Sequence, residues 1–293
     1  MTDRIILVSC PDRPGVVAAI SHLLQQAGGN IVKDEAHREE LIRFDPHARR
    51  YTAGAARFFM RLEVTFESAP EGLEAEAQAL AGRLEGQVAC FDPARPQRVA
   101  ILVSREESCL VDLLARRRSG RLPCEIPLVL SDHDALGDTA GMYGVPFACA
   151  PVDPDDPNAH EDRMRRLLDE AQVDLVVLAR YMRVLSAAFV DRYAERIINV
   201  HHGLLPAFKG AWPYHQAWER GVKVIGATAH YATAELDAGP IIAQEVEAVT
   251  HRHSAEELVE TGRDLERRVL AHAVKAWLEH RIALHEGRTV VFH

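Results

Sequence analysis

Hydrophobic positions along the chain follow two rhythms, one on each side of the segment DPARPQR at 92–98. Before it, RIILVSC (4–10) is a continuous apolar run that predicts a strand. Val16, Ile20, Leu23, Leu24 and Ala27 then fall on one helical stripe, which Gly28-Gly29 ends. A strand from about Asn30 to Ala36, a strand over RFFMRLEVTF (57–66), a helix over EGLEAEAQALAGRLEG and a short strand QVACF follow. That βαββαβ order is the ferredoxin-like split unit. Residues 38–56 are longer than a simple hairpin requires and read as an inserted loop.

Beyond the linker, strand and helix patterns alternate from RVAILVS to RIINV, which predicts an α/β, Rossmann-like, mostly parallel sheet with helices on both faces. The consecutive apolar residues of VDLVVLA (173–179) suit a strand buried on both sides. The last long helix is expected over about 254–280, with RTVVF as a small closing strand. The expected organisation is a domain at 1–91, a linker at 92–98 and a second domain at 99–293.

Composition narrows the classes. The 293 residues fit two domains, and 47% hydrophobic content supports packed cores. A net charge of −9 argues against a nucleic-acid partner, because phosphate contacts need a basic face. The one basic run, Arg116-Arg117-Arg118, reads as a helix C-terminus, where cations are favoured. No stretch approaches the roughly 18 apolar residues of a membrane span, so no membrane partner is expected. The N-terminus runs straight into a strand pattern without a signal peptide. Five scattered cysteines with no CxxC spacing read as reduced thiols of a cytoplasmic protein.

Candidate chemistry gathers where apolar runs stop. In open α/β sheets, ligands sit beyond the carboxyl ends of the strands. RIINVHH ends with Asn199 and His201 two residues apart, so on extended backbone both point to one face and His202 to the other. Adjacent histidines suggest zinc, but alternation separates them and no third ligand stands at useful spacing, so no metal is expected. The pair His251 and His253 reads as surface. A second apolar run closes at His230-Tyr231, and Asp237 follows in LDAGP. From sequence alone, an aspartate before Ala-Gly-Pro reads first as a turn former.

Two resemblances sharpen this reading. CPDRPGVVAAI…GGNI resembles the ACT domain, a regulatory module that binds amino acids, with Asp12, Gly15 and Asn30 at the matching positions. The resemblance implies an amino-acid effector and a homo-oligomer paired through these domains. NVHHGLLPAFKG, GATAHY…LDAGPII and LARYMRVL together resemble the folate-dependent formyltransferase family. It implies Asn199, His201 and Asp237 as catalytic residues. Folate contacts are implied at Met182, Arg183 and Leu185, and on the other side of the pocket at His230, Ala232 and Thr233. Gly203 departs from the pattern, which has serine there.

ACT and formyltransferase modules in one chain resemble the deformylase branch, which hydrolyses 10-formyltetrahydrofolate to formate and tetrahydrofolate, supplying formate for purine synthesis and balancing one-carbon folate pools. The substrates implied are the folate and water, with no cofactor. Asn199 and a protonated His201 would donate to the developing oxyanion, and Asp237 would position or deprotonate the water. The alternatives are a formyltransferase to an amine such as glycinamide ribonucleotide, and a non-enzymatic amino-acid or folate sensor. Glycinamide ribonucleotide formyltransferases cradle a phosphate in a Gly- and Ser-rich turn at a helix start. Here that turn reads SREESCL (104–110), and its two glutamates favour water as acceptor.

Overall fold

The stripe of Val16, Ile20, Leu23 and Leu24 is buried as its spacing predicts, on a helix lying over an antiparallel sheet. The computed structural model describes residues 1–47, 49–68, 70–152, 156–207 and 212–293. They divide into two compact units.

The first unit holds β1 (Thr2–Pro11), α1 (Val16–Gln26), β2 (Gly29–Asp45), β3 (Arg50–Phe66), α2 (Leu73–Leu84) and β4 (Gln87–Phe91). Its sheet has the order β2-β3-β1-β4. Alternation sends Ile6, Val8, Cys10, Met60, Leu62, Val64 and Phe66 toward α1 and α2. β2 and β3 are far longer than the sequence pattern suggests. In place of an inserted loop, β2 continues to Asp45 and β3 begins at Arg50, and the two pair as a ribbon with Ile42 opposite Ala53 and Phe44 opposite Tyr51. Ile42 and Tyr51 on this ribbon are exposed, so hydrophobic periodicity does not reveal it.

The second unit contains β5 (Gln97–Val103), α3 (Ser108–Arg118), β6 (Cys124–Ser131), α4 (Gly137–Met142), β7 (Phe147–Cys149) and α5 (Pro157–Glu170). It continues through β8 (Leu175–Leu178), α6 (Ala187–Arg192), β9 (Ile197–His201), α7 (Pro213–Glu219), β10 (Val224–Tyr231), β11 (Ile241–Ala248) and α8 (Ala255–Leu278). The sheet order is β11-β10-β9-β8-β5-β6-β7. β5 to β9 pair in parallel, whereas β10 is antiparallel to both β9 and β11. Residues of α5 and α6 pack against Ala100, Leu102, Val176 and Leu178 on one face. α8 packs against α3, β9, β10 and β11. The chain direction across the sheet reverses between β5 and β8, the place where such sheets open a crevice. No helix among the described residues is long and apolar enough to cross a membrane.

The C-terminus departs from the expected boundary at residue 99. Two short paired strands, β12 (Ile282–His285) and β13 (Arg288–Val291), follow α8. Residues Glu279–His285 and Val290–His293 belong to the first unit. Ala283, Val290 and Phe292 cover Leu7 and Phe59, on the sheet face that α1 and α2 leave bare. Buried Arg61 donates to the carbonyls of Glu279 and His280, and His280 stacks on Phe91 with ring centroids 3.8 Å apart. A sheet apolar on both faces needs two covers, and the second comes from the far end of the chain.

Candidate active site

Strand register builds the site. β9 and β10 are antiparallel, with Asn199 directly opposite His230 and His201 opposite Thr228. His201, Thr228 and His230 are all buried. Such neighbours interact across a ladder, and Asn199 Nδ2 lies 3.1 Å from His230 Nε2. The other ring nitrogen of His230, Nδ1, is 2.9 Å from the Tyr231 carbonyl oxygen, which can only accept. Nδ1 therefore carries the proton, Nε2 accepts from Asn199, and the amide orientation of Asn199 is fixed. Burial holds His230 below the usual histidine range, against the opposing pull of the Tyr231 carbonyl and Asp237, which keeps it neutral.

Asp237 comes from the loop after β10, at φ 54°, a left-handed conformation that aspartate tolerates better than most residues. The following turn needs glycine. A Cβ on Gly239 would lie 1.7 Å from the Tyr231 carbonyl oxygen, so only glycine lets the loop fold back that closely. The Tyr231 N–H donates to the Pro240 carbonyl at 2.9 Å and closes the turn. Asp237 Oδ2 then stands 3.2 Å from His201 Nδ1, and Oδ1 stands 3.8 Å from His230 Nε2. A residue that reads as a turn former thus places its carboxylate between two imidazoles.

These groups line a cavity of about 250 Å³. Met182, Arg183, Leu185, His230, Ala232 and Thr233 line it as well, so every catalytic and folate position expected from the sequence meets in one place. Ser104 pins the loop after β8, since its hydroxyl accepts from the Met182 N–H at 3.0 Å. Arg183 Nε donates to buried Asp132 at 2.8 Å. Burial opposes the Asp132 charge, but hydrogen bonds from Ser104 and Arg183 outweigh it and hold the carboxyl below its usual range. Gly203 leaves room beside His201: a Cβ there would sit 3.1 Å from His201 Nε2 and 3.3 Å from Pro213. The end of the NVHHGLLPAFKG stretch, 208–210, lies outside the described residues.

His202 departs from the expectation. β9 ends at His201, so strand alternation no longer governs the next residue. His202 lines the same cavity, with its ring stacked on that of His201. His251, by contrast, is exposed, and His253 accepts from the Thr250 N–H within its own turn.

Sequence reading also missed a group centred on Arg180, a cavity residue at φ 63°. Its guanidinium lies 3.4 Å from Glu266 and 3.9 Å from Glu106. Tyr214 donates to Glu266 at 3.1 Å. Burial raises the Glu266 carboxyl, and Arg180 opposes that. Glu106, Cys109 and Glu266 bring three potential metal donors together among the described residues. Two of the three already face the Arg180 cation, and burial pushes the Cys109 thiol far up, so this set suits an ion-pair network better than a metal. These side chains come from four distant segments, and no local pattern links them.

Glu106 has a further partner. Its carboxylate accepts from the Ser108 N–H at 3.0 Å and from the Ser108 hydroxyl at 2.8 Å. It therefore occupies the start of α3, where a helix dipole and free N–H groups favour an anion.

The three ACT positions do not meet within the first unit. Gly15 starts α1, and Asp12 is ion-paired with Arg38 at 2.6 Å. Asn30 pairs with Thr65, whereas the Asp12 N–H bonds Ala56. Along β3 those points are nine residues apart, about 30 Å at roughly 3.3 Å per residue.

The fold and the cavity define a formyl transferase-type catalytic unit joined to an ACT unit. A formyl transferase family model matches residues 97–274, and an ACT domain model matches 4–82. The chain is 45% identical to formyltetrahydrofolate deformylase of Synechocystis sp., over 98% of this chain and 97% of that protein. It resembles the crystal structure of a formyltetrahydrofolate deformylase from Pseudomonas syringae pv. tomato with a TM-score of 0.90, at 40% identity, covering 100% of this chain and 95% of that one. A glycinamide ribonucleotide transformylase from Symbiobacterium toebii matches with a TM-score of 0.65 at 33% identity, covering 69% of this chain and 97% of that one. The chain belongs to the formyltetrahydrofolate deformylase family.

Proposed function

We propose that this protein hydrolyses 10-formyltetrahydrofolate to formate and tetrahydrofolate, so that formate is supplied for purine synthesis and one-carbon folate pools are balanced. Asn199 has two amide hydrogens. One is engaged by His230, which leaves the other for the oxygen of the formyl group. A preorganised donor of that kind lowers the barrier by about 3 kcal/mol. As water bonds to the formyl carbon, the carbonyl electron pair moves onto that oxygen and one water proton passes to the Asp237–His201 pair. When the carbon–nitrogen bond breaks, His201 returns the proton to the folate nitrogen, and formic acid ionises to formate. The ring-linked part of the folate lies along Met182, Arg183 and Leu185 on one side and Ala232 and Thr233 on the other.

The observation that carries water as acceptor is Glu106. The transformylase of similar fold acts, by its name, on a ribonucleotide, which bears a phosphate. Here a carboxylate covers the start of α3 and would repel such a group. Arg180 already supplies the cation between Glu106 and Glu266, which supports chemistry without a resident metal. The test is formate release by the pure full-length chain, first with 10-formyltetrahydrofolate alone and then with glycinamide ribonucleotide. Formate without acceptor is expected; turnover that depends strictly on the ribonucleotide would replace hydrolysis with transfer.

The ACT unit makes the protein an amino-acid-responsive homo-oligomer of the cytoplasm. Asp12 and Asn30 are too far apart in one copy to hold one small ligand, so a pocket using both takes one from each of two copies. A monomer in sedimentation, with or without amino acids, contradicts this.

A further inference from the structure

The reaction just described leaves His202 unused, although it lines the cavity beside all three catalytic side chains. Its ring stacks on His201 with centroids 5.2 Å apart and planes 29° apart. Tyr214 of α7 leans on it at 6.5 Å and 54°. Those two contacts, one of them with a ring itself bonded to Glu266, set the plane of the imidazole. No hydrogen bond joins either of its ring nitrogens to another described residue. A half-buried imidazole without a protein partner is a polar group kept for something that enters the cavity.

Its charge state says what it can do. Burial first, then the Arg180 cation and the neighbouring His201, push its pKa down to about 3 against the opposing pull of Asp237. At neutral pH one ring nitrogen therefore bears a hydrogen and the other a lone pair. Such a ring accepts a hydrogen bond from water but is too weak a base to take the proton.

We propose that His202 positions the attacking water. The inference rests on the hydrolytic reading above. One water hydrogen points to the lone pair of His202, and the other points to the Asp237–His201 pair, which takes it. The water oxygen is thereby left facing the formyl carbon held at Asn199. His202 keeps its protonation state throughout, so it orients the nucleophile, while the bond changes remain those already given.

The test uses the full-length chain with His202→Ala and His202→Gln, 10-formyltetrahydrofolate as substrate, and hydroxylamine as a competing nucleophile that yields formylhydroxamate. Loss of the orienting ring should lower kcat for formate by about 30-fold and leave KM within about threefold. Hydroxylamine does not depend on His202, so the ratio of hydroxamate to formate should rise by the same factor, about 30-fold. Gln, which still offers an acceptor, should recover part of kcat and fold even where Ala does not. Two results overturn the proposal: kcat of His202→Ala within about threefold of the unmodified protein, or a fall in kcat of either variant with an unchanged product ratio. Formate release by the unmodified chain without hydroxylamine tests the hydrolytic reading separately.

Discussion

Two strand ends in this molecule carry polar side chains, and they treat them in opposite ways. After β1, Asp12 is solvent-facing and paired with Arg38. Exposed ion pairs of that kind contribute little, because water serves each partner almost as well. After β9 and β10, His201, His230 and Asp237 are nearly closed off from solvent, and Asp237 adds a left-handed backbone. Each buried polar group costs about 1–3 kcal/mol unless partnered, and here the partners are one another. The first arrangement can be dismantled without consequence for the reaction. The second is strained and interdependent, as expected where geometry serves chemistry.

The strongest way to break this contrast is Asp237→Asn. Asparagine accepts the same backbone, so the fold should persist and thermal stability should hold or rise once a buried charge is gone. Formate turnover should nevertheless fall by at least about 100-fold, as for loss of a general base or its orienting charge. Steady-state kinetics beside a melting curve decides it; activity within tenfold of the unmodified protein removes Asp237 from the reaction.

A second test places a buried histidine in the other unit. Burial, aided by Arg61, pushes the His280 pKa down to about 4. In the unfolded chain it titrates near 6.5, so the unfolded state binds the proton first as pH falls. The stability it contributes is complete above about pH 6.5 and is lost as pH drops toward 4. Between pH 7.5 and 5 the loss is about 2 kcal/mol. Amide hydrogen exchange in β1 and β3 should show this loss, and His280→Asn should remove most of it. An unchanged pH dependence in the variant means that other groups set the acid limit.

How far these features are legible in sequence follows from whether they are local. The stripe of α1 and the four buried residues of β8 are visible because burial follows the element's own period. Asn199 and His201 are visible for the same reason, and alternation fails at His202 because the strand ends one residue earlier. Arg180 with Glu266, and Arg183 with Asp132, join segments that share no periodicity. The C-terminal cover over Phe59 is hidden likewise, since RTVVF shows a strand but not the sheet face it protects.

A smaller effect is expected at His230. It touches the reaction through Asn199, so His230→Leu should leave the amide free to turn and reduce kcat about tenfold, with KM nearly unchanged. His230→Gln, which keeps an acceptor, should restore part of the loss. If Leu and Gln are equally impaired, packing rather than amide orientation explains the position.

The smallest effect belongs to Asp12, and its smallness is the point. Asp12→Ala breaks the pair with Arg38, yet both partners remain open to water. The urea midpoint should not move measurably, and formate turnover without any amino acid should match that of the unmodified chain. What should change is the response to an added amino acid, because Asp12 stands beside Gly15 at the start of α1, where a ligand shared between two copies would reach it. A basal rate altered by Asp12→Ala would show that the exposed strand end is tied to the chemistry, and the contrast between the two ends would fail.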